Sequence, residues 1–558
     1  MLTQIGNLSG SPRILIVDNE KRTVHIFQDL ISHWGYVPII ASGEGPALLE
    51  DAKNKAREYR CQLALVDMRL IDDSDNDDIS GLELVNQIRP AISIVVSGHG
   101  NLKIAVGSIQ KNGAAGFVEK NDLPLGLQEK IKWEAAKNCA HARELKIYPS
   151  EIMVSIKKTL FDANVAPEYH DQVEDILARL FPTASTLRLE KMNTGDDTSG
   201  IATAPRPRSV VLKVYEDEFQ PVIIKLARKT KIKKETNRFS QYIKGRLVGN
   251  FVPKLEDSCC LWDIGGIKFS YVGSIDQTFG HFFQSASVPT IEKTLERFFK
   301  ITWSYHFKRA KDRFDVSLFE LYCSVLDHDW YERALKFKIP NPEIFMGADV
   351  WRRINAKDPI EWLIQKIGSN TTGDASHVAK TRIAVTHGDL HADNMLVDDS
   401  QNAWVIDFER SGEGHALQDF IELESDIINR MTLGNQNFSD YYHLCLAVAS
   451  SQTTGKMNIA CLADAGSDMQ KVIQIIATIR SLAQECTGIV DARQYMLGLF
   501  FNTIFRATID KDFRIMDDDQ IRSQRSALML ASILCFRLEH WDEPWPPKQW
   551  ENLQGESK

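Results

Sequence analysis

The chain has 558 residues, 43% of them hydrophobic and 25% charged, with a net charge of −9. That length exceeds one hydrophobic core, so several domains are expected, and the composition excludes a disordered or membrane-embedded chain. The acidic balance argues against nucleic acid as a partner. The opening residues lack an apolar signal core, and no later stretch offers the roughly 18 apolar residues needed to cross a bilayer. Nine cysteines, from Cys61 to Cys535, form no CxxC pair, which suits a reducing compartment. A cytoplasmic protein without membrane partners is expected.

From residue 12 to about 135, short apolar runs alternate with helical patterns: Ile14 to Val17, Val37 to Ile40, Leu63 to Val66, Ile92 to Val96 and Gly116 to Val118. Runs apolar on both faces predict an α/β unit with a five-stranded parallel sheet covered by helices. Ligands of such sheets bind at the carboxyl edge, and there the runs end in Asp18, Asp67, Ser97 and Lys120. With ILIVDNE, LVDMRL, VVSGHG and FVEK in this order, the region resembles response-regulator receiver domains. The resemblance implies a doubly wound, flavodoxin-like sheet, with Asp67 as the phosphorylated residue, Asp18 and Asp67 as magnesium ligands, and Asn19, Ser97 and Lys120 as the rest of the pocket. It also implies a sensor histidine kinase or phosphotransfer protein as phosphoryl donor, and a homodimer through the receiver. Asn19 stands where the family usually has a second aspartate, which removes a negative charge from the metal pocket. After Asp67, the acids Asp72, Asp73, Asp75, Asp77 and Asp78 either supplement that pocket or form a solvated loop.

An amphipathic helix is predicted from near Pro124 past Trp133, and residues 136–185 read as a helical linker broken at Pro149 and Pro167. It either carries receiver output or spaces the domains. From Leu187 the pattern changes to strands, TLRLEKM, SVVLKVY and PVIIKLA, which predicts a small nucleotide-binding lobe over 186–275. Between the first two lies NTGDDTSGIA, where Gly195, Ser199 and Gly200 can bring backbone amides to phosphate. Lys225 ends an apolar strand and needs an anionic partner there. Glu235, at the start of a predicted helix, is the first candidate, with Glu216 and Glu218 as alternatives. The basic run from Arg228 to Lys234 reads as a solvated rim or an attractor of phosphate.

Residues 276–550 read as a large helical lobe, in which Trp303, Tyr305, Asp329 and Trp330 belong either to core or to an acceptor pocket. It contains HGDLHADN, His387 to Asn394, followed thirteen positions later by Asp407 in VIDFE. An aspartate at a short turn can accept a hydroxyl proton, while an asparagine and a second aspartate hold magnesium against nucleotide phosphates. The intervals from His387 to Asp389, Asn394 and Asp407 fit phosphoryl transfer. With Gly388 in place of the arginine of protein kinases and Phe408-Glu409 after the second aspartate, the stretch resembles the aminoglycoside and choline phosphotransferase branch of the kinase fold. The resemblance implies a bilobal α+β kinase-like domain that uses ATP and Mg2+. Asp389 would be the catalytic base, Asn394 and Asp407 metal ligands, and Lys225 and Glu235 nucleotide residues. His387 would support the loop, and Asp419 would brace it from a buried position.

Together the two resemblances imply a two-component response regulator whose output is an ATP-dependent phosphotransferase gated by phosphorylation of Asp67. One scaffold serves many acceptors, so the acceptor substrate stays unnamed. The alternative is a non-catalytic, nucleotide-binding signalling adaptor whose receiver docks or dimerises.

Overall fold

A computed structural model describes residues 11–72, 74–75, 77–98, 113–161, 164–192, 209–217, 219–247, 253–270, 275–326, 329–336, 357–368, 378–432, 438–458, 467–508 and 518–551. The chain divides into two compact units: Met1–Met192, Pro205–Lys234 and Leu255–Tyr271 form one, and Asn193–Ala204, Glu235–Lys254 and Val272–Lys558 the other.

The first unit opens with β1 (Arg13–Val17), α1 (Lys21–His33), β2 (Val37–Ile40), α2 (Pro46–Glu58), β3 (Leu63–Asp67), α3 (Ser80–Gln87), β4 (Ile92–Ser97), β5 (Gly116–Glu119) and α4 (Leu125–Asn138). The strands pair in parallel in the order β2-β1-β3-β4-β5, the expected doubly wound sheet. Alternation along each strand explains the two helical layers. Ile14, Ile16, Leu63 and Leu65 pack with Val24, Phe27 and Ile31 of α1 and Leu127 and Ile131 of α4. Leu15, Val17, Ala64 and Val66 pack on the other face with Leu48, Ala52 and Ala56 of α2 and Leu84 of α3. Each fully buried aliphatic side chain of this kind contributes roughly 1.5–3 kcal/mol.

The same unit continues through β6 (Lys146–Tyr148), α5 (Ser150–Leu160), α6 (Gln172–Leu180), β7 (Thr186–Lys191), β8 (Val210–Glu216), β9 (Val222–Arg228), α7 (Lys229–Arg238), β10 (Leu255–Cys260) and β11 (Ile264–Ser270), with α7 running on into the second unit. The sheet order is β10-β11-β9-β8-β7-β6. The three strands expected here are β7, β8 and β9. The helical segment before them is the cover of their sheet: Met153, Ile156, Leu160, Ile176 and Leu177 share one core with Leu187, Leu189, Leu212, Ile224 and Leu226. Gly266 in β11 lets α6 approach so closely, since a Cβ there would stand 2.6 Å from Ile176 Cγ2.

The second unit is the expected helix-rich region, but it also holds two small antiparallel sheets. They are built from β12 (Ile275–Thr278), β13 (Lys311–Ser317), β14 (Val378–Thr386), β15 (Met395–Asp398), β16 (Ala403–Val405) and β17 (Gly412–His415), in the orders β12-β15-β16 and β13-β14-β17. The β13 strand, KDRFDVS, is largely exposed and carries no apolar alternation, so its sequence gives no strand signal. Trp303 and Trp330 are fully buried and belong to the core. Among the described residues no helix is long and apolar enough to cross a membrane.

Candidate functional site

Chemistry-bearing side chains gather at two places. At the carboxyl edge of the parallel sheet, Asp18 follows β1, Asp67 ends β3, Ser97 ends β4 and Lys120 follows β5. Asp18, Asp67 and Ser97 are all buried. Lys120 Nζ stands 3.0 Å from Asp18 Oδ2 and 3.5 Å from Asp67 Oδ1. One ammonium facing two carboxylates leaves excess negative charge. Burial, reinforced by the Asp18 charge and opposed by Lys120, pushes Asp67 up to about 7. Burial also raises Asp18, although Lys120 and the Glu20 amide, 2.8 Å from Oδ1, work against it.

That uncompensated charge fits a divalent cation, which Asp18 and Asp67 would hold; partly exposed Asn19 brings an amide instead of a charge. Among the described residues no acid of the loop joins Asp18 and Asp67 in a group that could hold a metal. Asp78 accepts hydrogen bonds from the amides of Ile71, Asp72 and Ser80, which hold its carboxyl down to about 2 against the effect of burial, and Asp72 caps Ser74. These acids stiffen their own turn, and Asp73 lies outside the described residues.

The second place is the His387–Asn394 turn between β14 and β15. Its amides are gripped by one face of the helix Gln418–Asp426. Asp419 accepts from the amides of His387 and Gly388 at 2.8 and 3.0 Å, Glu422 from Leu390 at 2.8 Å, and Asp426 from Ala392 at 2.8 Å. Spacings of three and seven residues put the three carboxylates on one helix stripe. Burial raises Asp419 to about 7 and raises Glu422 as well, the latter also through the charges of Asp389 and Asp419. Burial would raise Asp426 too, but ion pairs to Arg506 and Arg430 hold it well below the usual carboxylate range.

Gly388 has φ +78°, and a Cβ on it would stand 2.5 Å from the Arg410 carbonyl oxygen, so glycine is required at this position. His387 is fully buried, and burial pushes it down to about 4. The ring is therefore neutral, and Nε2–H donates to the Ile406 carbonyl at 3.0 Å. Ile406 N donates to the Asn394 carbonyl at 3.0 Å, which ties together the segments carrying Asn394 and Asp407. The Asn394 side-chain amide donates to the Asp389 carbonyl at 2.9 Å. Asp407 sits in the left-handed region at φ +69°, a conformation that costs a non-glycine residue about 1–3 kcal/mol and is held only by its surroundings. Those surroundings are Phe408, whose ring packs on His387 and Phe239, and Glu235, whose Oε1 accepts from Phe408 N at 3.2 Å.

Sequence reasoning selected Asp419 in this network but missed Glu422, Asp426 and Arg410. The run ELESD that holds the first two resembles a surface acid cluster, and only its register with Asp419 could have found them. Arg410 Nη1 lies 3.1 Å from Asp389 Oδ1, and nothing in the spacing signals it. Of the nucleotide residues, Lys225 is buried in β9 in the first unit, and Glu235 is fully buried in α7 in the second. Gly195, Ser199, Gly200 and Glu218 lie outside the described residues. Among the described residues no group of three His, Cys, Asp or Glu side chains could by itself hold a metal. Magnesium commonly keeps waters and substrate phosphates as ligands beside one or two carboxylates, so the donor set of Asn394 and Asp407 fits it.

Residues 351–502 match the family described as ternary complex associated domain 9. No curated protein matches the chain. Among solved structures, a response regulator from Thermotoga maritima is 21% identical and covers 23% of this chain and 98% of its own, with a TM-score of 0.19. A putative aminoglycoside phosphotransferase from Ralstonia eutropha is 12% identical over 70% of this chain and 98% of its own, with a TM-score of 0.34. A thermostable mutant of an aminoglycoside phosphotransferase, in ternary complex with ADP and hygromycin B, is 11% identical over 63% of this chain and 97% of its own, with a TM-score of 0.35.

Proposed function

We propose that the chain is a two-component response regulator whose output is an ATP-dependent phosphotransferase, gated by phosphorylation of Asp67. The observation that carries the reading is the bracing of the His387–Asn394 turn by Asp419, Glu422 and Asp426. Three buried carboxylates spent on four backbone amides make sense where a turn must not move, as in positioning a base against an acceptor. In this reading the acceptor hydroxyl oxygen bonds to the γ-phosphorus as the bond to the bridging oxygen breaks, ADP leaves, and Asp389 takes the hydroxyl proton. Magnesium, held by Asn394 and Asp407, would neutralise phosphate charge. Lys225 would bind phosphate oxygens, and Glu235 would be a further nucleotide residue.

On the receiver side, a carboxylate oxygen of Asp67 takes a phosphoryl group from the phosphohistidine of a sensor kinase or phosphotransfer protein, and the imidazole nitrogen leaves. Lys120 is already placed between Asp18 and Asp67 to meet the new charge. The test of the output is transfer of labelled γ-phosphate by the purified full chain to a panel of hydroxyl acceptors, beside Asp389→Asn. The variant should lose roughly 10²–10⁴ in rate, the usual contribution of a general base. Identical behaviour of the two proteins across the panel would remove the catalytic assignment.

The Arg410–Asp389 ion pair favours a second reading, because it engages the candidate base. In it the domain binds nucleotide and reports receiver state to a partner without turnover. Magnesium-dependent ATP binding with no hydrolysis supports the adaptor, and ATP hydrolysis that disappears in Asp407→Ala excludes it.

A further inference from the structure

The receiver sheet has two edges, and the one opposite the acid pocket is not free. Arg13, at the start of β1, and Arg60 to Gln62, just before β3, lie at the other ends of the strands that lead to Asp18 and Asp67. Arg13 is buried, and its guanidinium grips Asp171 with two hydrogen bonds of 3.0 and 3.2 Å. Gln62 Nε2 donates to Asp171 and to Asp175 of α6, both at 3.2 Å. Asp175 also accepts from Ala140 N, just beyond α4, at 3.0 Å.

Beside this network the tip of the β10–β11 hairpin reaches the same edge. Trp262 Nε1 donates to the Cys61 carbonyl at 2.9 Å, and the ring packs against the receiver core cluster of α2, β1 and β3. Asp263 accepts from Arg60 Nε and Nη2 at 3.1 and 3.3 Å, and exchanges hydrogen bonds with Gln172. The Tyr169 ring lies under both guanidiniums, 5.3 Å from Arg13 and 5.0 Å from Arg60. Arg60 makes its contact from a left-handed backbone at φ +47°. A non-glycine residue held there is strained, so the contact around it is well determined.

Two short steps lead from the hairpin tip to the candidate nucleotide residues. Lys229 N, the first residue of α7, donates to the Asp263 carbonyl at 3.0 Å, and α7 carries Glu235. In β11, Ile267 pairs with Lys225 of β9. We propose that the Trp262–Asp263 tip is the output contact of the receiver, so that a change at Asp67 is transmitted through β3 to the base of the sheet and from there into β9 and α7. This rests on the reading of the receiver as an input domain. It assigns the coupling to the sheet edge far from the acid pocket, and to a direct contact within one compact unit instead of a linker.

The test needs no phosphorylation. Hydrogen exchange is followed in the full chain and in Asp67→Asn, on peptides covering residues 222–238 and 255–270. Removing the Asp67 charge should slow exchange in both by about fivefold or more, the lower end of ordinary coupling between sites. In Trp262→Ala the response should vanish from those peptides while persisting in β3 and β4. If Trp262→Ala does not fold, Arg60→Ala and Asp263→Asn carry the same expectation, since both positions are partly exposed. Unchanged exchange over 255–270 in Asp67→Asn overturns the proposal, as does a response undiminished by all three interface variants. A separate incubation with acetyl phosphate reports on the input reading alone: no acid-labile phosphate on Asp67 would remove that reading, whatever the exchange shows.

Discussion

Asp67 has two jobs that pull against each other. As a nucleophile it must be ionised, yet burial and the Asp18 charge push its carboxyl up to about 7. The linkage has a definite sign, because a carboxyl raised in the folded state destabilises the fold wherever the unfolded chain is ionised. Below about pH 4 both states are protonated and Asp67→Asn should change nothing. Between there and about 7 the gain from the substitution should grow, and above about 7 it should be constant. Melting curves with chelator present, taken across this range, check it; a gain independent of pH would mean that the charge is not the cause. At this scale the acid pocket was legible, since Asp18, Asp67, Ser97 and Lys120 each end an apolar run at one sheet edge. Arg410 was not, because an arginine three residues after an aspartate has no spacing rule to expose it, and its contact with Asp389 exists only in three dimensions.

Among elements, the helix Gln418–Asp426 holds Leu390 of the His387–Asn394 turn by hydrogen bonding more than by charge, since burial raises Glu422. A protonated carboxyl still accepts through its carbonyl oxygen. Glu422→Gln should therefore leave the Leu390 amide protected from hydrogen exchange. Glu422→Leu should strand that amide, at a cost of about 1–3 kcal/mol, and accelerate its exchange roughly tenfold to a hundredfold. Equal acceleration in both variants would show that the negative charge matters instead. The helices α5 and α6 show how far periodicity goes: their apolar spacing predicted helices correctly. It could not say what covers the apolar face, and the answer is the six-stranded sheet, where Gly266 of β11 leaves room for α6.

For the whole molecule, length alone suggests about three cores, whereas the chain forms two compact units. The reason is visible in the first of them. Shared packing of α5 and α6 with the six-stranded sheet, and the Arg13, Arg60 and Trp262 contacts, join what sequence reads as successive pieces. Lys225 lies near the middle of that unit's second sheet, paired to Val211 on one side and Ile267 on the other, and is 4% exposed. The proposed function assigns Lys225 to nucleotide phosphates. Binding to the folded state alone then stabilises it by about 2.7 kcal/mol at a hundredfold excess over Kd. ATP with magnesium should accordingly raise the melting temperature of the intact chain by a few degrees, and Lys225→Ala should abolish the rise. A shift of equal size in the variant would place the nucleotide away from β9 and take the phosphate-binding role from Lys225.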